Sequence, residues 1–505
     1  MSNITITAVG IQKIIDSLKS SSACGFDGIN PKVLKNTKVA SSLYLSVIFQ
    51  QSLDCNVVPS DWRLAKVIPV FKKGDKHSPL NYRPISLTSV PCKILEHVIY
   101  SHVVNFLESN SFFSPRQHGF RKHRSCETQL AGFVHDLQLN LDKATETDVI
   151  FLDYAKAFDT VPHARLLLKL SQLNLHSSIL SWIRSFLSNR SQSTFVNDHY
   201  SSFCTVTSGV PQGSVLGPLL FSIYIYDLPT VVNSNIRLFA DDCVLYRAIN
   251  SPDDQYVLQQ DLRAVESWCD KWVMSLNVSK CCYMPITRRR ISHQRAYSLA
   301  GSVIPTSTSY KYLGVTISSD LSWRCHITSI VKDASHTLGF LRRNLKPAPP
   351  VVRRIAYSTY VRPKLEYASA IWDPFHRYLI SHIEAVQNSA ARFILSDYSY
   401  MSSVSSMKVS LGLSPLATRR FISRLCLFHK FYHDTTIDPS IIIPARIIFP
   451  RIDHPLKVEC YQCHSSHFLN SFFPHTGVQW NSLPPSVACI TNPHQFHCAL
   501  IRLFA

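Results

Sequence analysis

The chain has 505 residues, with 52 Lys and Arg against 33 Asp and Glu, a formal net charge of +19 and a pI of about 9.3. That balance suits a polyanionic partner, and 15 cysteines without regular spacing exclude a disulfide framework and point to a reducing, intracellular compartment. No run reaches the ~18 apolar residues of a membrane span, and Lys13 and Asp16 interrupt the first apolar stretch, so a soluble protein without a signal peptide is expected.

In chain order, Ile11, Ile14, Ile15 and Leu18 recur at helical spacing before the turn Cys24, Gly25, Phe26, Asp27, Gly28, giving a lead-in segment over residues 1–52. Next comes an apolar run, Asp148, Val149, Ile150, Phe151, Leu152, Asp153, which reads as a strand delivering Asp153 at its end. After a turn, a helix is predicted from about His163, with Leu166, Leu167 and Leu170 as its apolar stripe. Three glycines and two prolines between Ser208 and Pro218 dictate a bent loop suited to close approach of a ligand, ahead of an apolar helix.

Two apolar strands, Ile236 to Ala240 and Cys243 to Tyr246, flank Asp241 and Asp242 and place the acidic pair on a hairpin turn. Adjacent carboxylates repel unless solvated or neutralised by a cation. By itself the pair reads as a solvated turn or as a metal site. Asp153 supplies the third oxygen ligand that favours the metal site, and metals point to phosphoryl transfer. Leu258, Leu262, Val265, Cys269 and Trp272 then predict a core-packing helix, followed by a turn through Asn277 to Lys280.

At these residues the chain resembles the reverse transcriptases of non-LTR retrotransposons, of the jockey and chicken-repeat type. FLDYAKAFDTV (Phe151 to Val161), GVPQGSVLGPLLF (Gly209 to Phe221) and LFADD (Leu238 to Asp242) are similar to the family's catalytic and nucleotide-side motifs. They are flanked in family order by VIPVFKKGD (Val67 to Asp75), NYRPISL (Asn81 to Leu87), HGFRKHRSCETQL (His118 to Leu130) and YKYLGVTIS (Tyr310 to Ser318). Any one of the seven is weak alone; their order is specific.

The resemblance implies an α+β, right-hand polymerase of fingers, palm and thumb, with an antiparallel palm sheet and an α-rich C-terminal region. On that reading residues 53–317 are fingers and palm, and residues 318–505 the thumb and C-terminal region. It implies RNA-directed DNA polymerisation with deoxynucleotides, extending a DNA primer or nicked target on an RNA template by target-primed reverse transcription. Two Mg²⁺ ions about 3.5–4 Å from each other, with Mn²⁺ as a substitute, would be bridged by Asp153 and Asp241, with Asp242 completing the cluster in a weaker or outer-shell role.

Carried over residue by residue, Phe158 matches a steric gate against the 2′-hydroxyl, its plainer reading being a core aromatic. Gln212 and Gly213 match the nucleotide-side loop, and Lys280 matches a lysine proposed to protonate the leaving pyrophosphate. Arg83, Lys93 and Arg121 are candidate triphosphate partners. Tyr312, Leu313 and Gly314 resemble the hairpin that grips the primer. The basic stretch with Arg342, Arg343, Lys346, Arg353 and Arg354 is expected to lie along template and primer phosphates; the run Arg288, Arg289, Arg290 is a weaker case. Ile383, Val386, Ala390 and Phe393 predict a helix in the C-terminal region.

Cys460, Cys463, His464 and His467 have the side chains of a zinc site without the spacing of a zinc knuckle. No endonuclease-like segment precedes the fingers, so a shortened copy is expected, and the alternative function is a catalytically idle nucleic-acid-binding remnant of a decayed element.

Overall fold

The computed structural model describes residues 1–289, 295–434, 436–449 and 451–504. Arg290 of the basic run therefore lies outside the described residues. The strands in chain order are β1 (Leu64–Phe71), β2 (Tyr82–Leu87), β3 (Glu146–Asp153), β4 (Arg190–Val196), β5 (His199–Tyr200), β6 (Cys204–Val206), β7 (Asn235–Phe239), β8 (Asp242–Ile249), β9 (Cys282–Ile286), β10 (Ser298–Leu299), β11 (Ser302–Val303), β12 (Ser309–Tyr312) and β13 (Val315–Ser318). Helices with antiparallel sheets give the mixed α and β class expected from the sequence.

The chain divides into two compact units, each assembled from separated stretches. The first comprises Met1–Phe120, Leu152–Asn233 and Gln260–Lys280. Its sheet runs β2-β1-β4-β5, with β6 also paired to β4; β1 is antiparallel to β2 and parallel to β4. Helices of this unit pack on one another because their apolar stripes need burial: Ile11 and Ile15 of helix Ala8–Ser17, Phe49 and Leu53 of helix Lys38–Asp54, and Trp182 and Phe186 of helix Ser177–Leu187 are all buried. The Trp182 indole N–H is satisfied by Ser52 Oγ at 2.9 Å.

The second unit comprises Arg121–Phe151, Ser234–Gln259 and Cys281–Ala505. The antiparallel β7–β8 hairpin begins a four-stranded sheet of order β7-β8-β3-β9, in which Val149 pairs with Met284 and Phe151 with Cys282. Seven of the eight β3 residues are buried, the apolar Val149 to Leu152 together with the polar Glu146, Thr147 and Asp148. Helices Arg324–Asn344, Arg377–Leu395 and Leu416–His433 dominate the rest, and the predicted stripe Ile383, Val386, Ala390, Phe393 is buried.

Two buried histidines are expected to make this unit acid-sensitive. His135 sits among the rings of Tyr461, Phe468 and Phe473, and His326 Nδ1 accepts the Thr316 N–H at 3.2 Å. Burial lowers each from the ordinary 6.5 to about 4. The unfolded chain takes up both protons near pH 6.5, the folded chain only near pH 4. Stability is therefore expected to fall as pH drops through that window, by up to about 3 kcal/mol per histidine. Urea midpoints at pH 7, 5.5 and 4.5 check this: His135→Leu should flatten the slope, and an unchanged slope would refute the assignment.

Candidate active site

In the first unit, Asp153 closes β3, and the chain beyond it is fixed by backbone bonds: Asn277 N–H donates to Asp153 O at 2.7 Å and Ala155 N–H to Ser275 O at 2.8 Å. The predicted turn therefore presents Lys280 beside the strand end, with Nζ 3.6 Å from Asp153 Oδ2. Both side chains are partly exposed, at 58% for Lys280 and 35% for Asp153. That leaves the carboxylate open to solvent ligands, with a proton donor at hand. A short helix, Ala157–Thr160, follows Asp153 and precedes the expected helix His163–Ser171.

Phe158 is half-buried on that short helix, stacked on Phe221 with centroids 4.3 Å apart at 21° and edge-on to Phe120 at 6.1 Å. The gate candidate is thus braced from two sides while part of its surface stays accessible. Its backbone carbonyl accepts from Val210 N–H at 2.8 Å, and Gly209 N–H donates to Val161 O at 2.8 Å, tying the glycine-rich loop to this short helix. Gly213, at φ +117°, explains its own identity: a Cβ there would stand 2.4 Å from Ser86 O.

Gln212 Nε2 donates to Asp159 Oδ1 at 3.1 Å, and Gln212 O accepts from Ser86 N–H at 2.7 Å. Burial pushes the Asp159 carboxyl up, against the hydrogen bond from Gln212. A cavity of about 350 Å³ opens here, with Ser86, Lys156, Asp159, Arg190 and Gln212 among its lining residues. Arg83 is exposed on β2 opposite Val70, and Lys93 is partly exposed in the first turn of helix Val90–Ser109.

One residue of this unit escaped the sequence reading. Glu96, fully buried on helix Val90–Ser109, accepts the N–H groups of Val215 at 2.7 Å and Leu216 at 3.0 Å. A carboxylate from a distant helix thereby satisfies orphan donors where the loop turns into helix Leu216–Tyr224. Burial raises its pKa against those two bonds.

In the second unit, Ala240 and Asp241 form the β7–β8 turn, Ala240 at φ +56°, and Asp242 opens β8 opposite Phe239. Both carboxylate residues are exposed, as expected for a hairpin turn. Arg121 is partly exposed. Below the turn, Arg237 is held by Asp136 Oδ2 at 2.8 Å and by the Tyr246 hydroxyl at 2.8 Å.

The hairpin β12–β13 forms where expected, but Tyr312 is not on its surface. It is buried, its hydroxyl bonded to Gln129 Nε2 at 3.0 Å, because on this strand it faces the core that Phe133 and Phe151 fill. Leu313 and Gly314 make the turn at φ +45° and +84°. Gly314 is required by packing, since a Cβ would meet Tyr367 at 2.8 Å.

Arg353, expected at a phosphate-facing surface, is buried as well. Its guanidinium donates to the carbonyls of Leu345 at 3.2 Å, Phe393 at 3.0 Å and Lys346 at 2.6 Å, capping the end of helix Arg377–Leu395. Arg342, Arg343, Lys346 and Arg354 are exposed, Arg342 lying over the Tyr398 ring at 5.3 Å.

Among the described residues no three His, Cys, Asp or Glu side chains are grouped so as to hold a metal ion. This includes Cys460, Cys463, His464 and His467; Cys460 Sγ lies 3.6 Å from Asn481 Nδ2 and Cys463 Sγ 3.6 Å from Tyr461 O. Asp153 in the first unit, and Asp241 and Asp242 in the second, each offer hard anionic oxygens with solvent access, the donor type that Mg²⁺ takes while keeping most of its waters.

Residues 71–317 match the family described as reverse transcriptase (RNA-dependent DNA polymerase). Curated relatives include a probable RNA-directed DNA polymerase from transposon BS of Drosophila melanogaster, 27% identical over 409 residues, 78% of this chain and 45% of the relative. The probable RNA-directed DNA polymerase from transposon X-element of the same species is 29% identical over 396 residues, 76% of this chain and 43% of the relative. The RNA-directed DNA polymerase from mobile element jockey of Drosophila funebris is 31% identical over 338 residues, 64% and 36% of the two chains. The chain spans less than half the length of each of these relatives.

Proposed function

We propose that this chain, whose residues 71–317 match the reverse transcriptase family, polymerises DNA on an RNA template for a non-LTR retrotransposon, with nucleotidyl transfer from dNTP to a primer 3′-hydroxyl. The reading is carried by one observation: the acidic turn at Asp241 and Asp242 belongs to a hairpin whose strand β8 neighbours β3, the strand that ends in Asp153. Asp153, Asp241 and Asp242 would hold Mg²⁺, which when bound supplies Lewis-acid stabilisation of the phosphoryl oxygens.

The remaining roles belong to the chain itself. Lys280, beside Asp153, donates a proton toward the departing pyrophosphate. Gln212, oriented by Asp159, positions the incoming nucleotide or the template. Arg83, Lys93 and Arg121 are the cations available to triphosphate oxygens, and Arg342, Arg343, Lys346 and Arg354 those available to nucleic-acid phosphates. Target-primed synthesis at a nicked DNA end is the setting that the jockey-type motifs favour.

Primer extension by the full chain on RNA and DNA templates, with and without Mg²⁺, tests this reading. Metal-dependent extension on RNA is expected; binding without extension would favour the idle remnant. Phe158→Val removes the ring braced by Phe221 and Phe120. It is expected to relax discrimination against ribonucleotides by roughly a hundredfold, read as the ratio of kcat/KM for dNTP and rNTP. An unchanged ratio would return Phe158 to a core aromatic.

A further inference from the structure

The second unit holds a cavity of about 520 Å³ that polymerisation chemistry does not use, a volume in the range of small-ligand sites. Its wall carries a run of rings: Phe375 lies 4.0 Å from His376 at 35° and 5.4 Å from His467 at 90°, and His376 lies 5.8 Å from Tyr378. Phe375 is 37% exposed and Tyr378 44%. The Arg324 guanidinium stands 5.8 Å over the Tyr378 ring, with Nε 3.4 Å from its hydroxyl.

The floor carries two orphaned polar atoms. Gln138 and Ser318 are among the lining residues and only 4% and 6% exposed, and Gln138 Oε1 and Ser318 Oγ, buried beneath that lining, have no hydrogen-bond partner among the described residues. Buried groups of this kind ordinarily find partners. Asp320, also in the lining, is an exposed carboxylate acceptor. Asp373 is already taken up by Arg420 at 2.6 Å and Arg424 at 3.1 Å.

Flat rings at the mouth, hydrogen-bonding atoms at the floor and a cation on the rim match the chemistry of one flat heterocycle attached to a phosphate. We propose that this cavity receives an unpaired nucleobase of the RNA strand. The ring stacks on the Phe375 and His376 wall, the base edge meets Gln138 and Ser318, and Arg324 lies toward the backbone phosphate. With Gln138 Oε1 and Asp320 both acceptors, bases bearing an exocyclic amino group are preferred over uracil. The inference deepens the RNA-template reading by giving that strand a holding point outside the reaction centre.

Fluorescence-anisotropy titration of the full chain with 15-nucleotide oligoadenylate and oligouridylate RNAs tests it. Phe375→Ala is expected to weaken oligoadenylate binding about tenfold. Gln138→Leu replaces a side chain whose buried Oε1 has no partner among the described residues by an apolar group of similar shape and is expected to leave the urea midpoint in place. It should cost oligoadenylate affinity several-fold and oligouridylate none. Arg324→Gln should weaken both. Oligoadenylate affinity unmoved by Phe375→Ala and Gln138→Leu, or an equal loss on both RNAs in Gln138→Leu, would overturn the proposal. Binding is read independently of extension, so an inactive polymerase that still shows these losses would refute the catalytic reading and leave this one standing.

Discussion

Replacing Asp153 by Asn is expected to reduce primer extension on an RNA template by on the order of a thousandfold or more, at least about 4 kcal/mol of transition-state stabilisation, with little change in folded-state stability. Asp153 is one-third exposed at the end of β3, and its backbone carbonyl, not its side chain, receives the Asn277 bond that fixes the local fold. Asparagine keeps the shape and that carbonyl while removing the charge that would hold a divalent cation and that faces Lys280 at 3.6 Å. Asp241→Asn should act alike, since the turn residue is exposed and the Phe239 to Asp242 pairing that closes the hairpin is made by its neighbours. Single-nucleotide extension rates, paired with urea midpoints, separate the two effects. Extension within tenfold of the parent in both variants would exclude these carboxylates from catalysis.

The second large effect is on stability. Asp148, at the other end of β3, is fully buried and accepts from the hydroxyls of Tyr297 at 2.6 Å and Tyr283 at 3.1 Å and from Arg295 Nη1 at 3.0 Å. Arg295 Nη2 donates in turn to Glu146 Oε2 at 2.8 Å. Burial raises the Asp148 carboxyl despite these three donors. Asp148→Ala would leave two phenols and a guanidinium without their acceptor, a loss expected to cost about 3–5 kcal/mol. Arg295 keeps its bond to Glu146 in that variant, so the double variant Asp148→Ala, Arg295→Met, which also takes the cation from the buried Glu146 carboxylate, is expected to recover none of that loss. Urea unfolding of the four proteins in a double-mutant cycle reads both; a single-variant loss below about 1 kcal/mol would show the network to be incidental.

These two aspartates show where sequence reading succeeds and where it stops. Asp153 was legible because its environment is local: an apolar run, a turn and then a helix. The acidic hairpin was legible for the same reason, as was the buried stripe Leu258, Leu262, Val265, Cys269, Trp272. Asp148 lies in the same six-residue run yet gave no signal, because its partners Tyr283, Tyr297 and Arg295 follow 135 to 149 residues later. Glu96 was hidden likewise, one polar residue on an apolar helix whose clients lie 119 and 120 positions away.

Arg353 and Tyr312 are buried by contacts that a charge run and a motif do not carry. A charge run was read as one face, yet Arg353 turns inward where helix Arg377–Leu395 needs its last carbonyls satisfied. A motif placed Tyr312 at a hairpin, but strand alternation put its ring in the core. Neither the burial of one cation among five nor the face of a four-residue strand is set by local pattern.

The loop from Ser208 to Pro218 has a practical consequence for anyone recombining this chain with its relatives. Gly213 admits no side chain against Ser86 O, Gly209 none against Asp159 O, and Glu96 closes the loop's far end through Val215 and Leu216. The glycine-rich segment is therefore not an exchangeable cassette. A chimera that imports it from a relative must import the β2 strand, the following helix through Glu96 and the Phe158 to Val161 stretch as one block, and crossover points placed between them should yield misfolded hybrids.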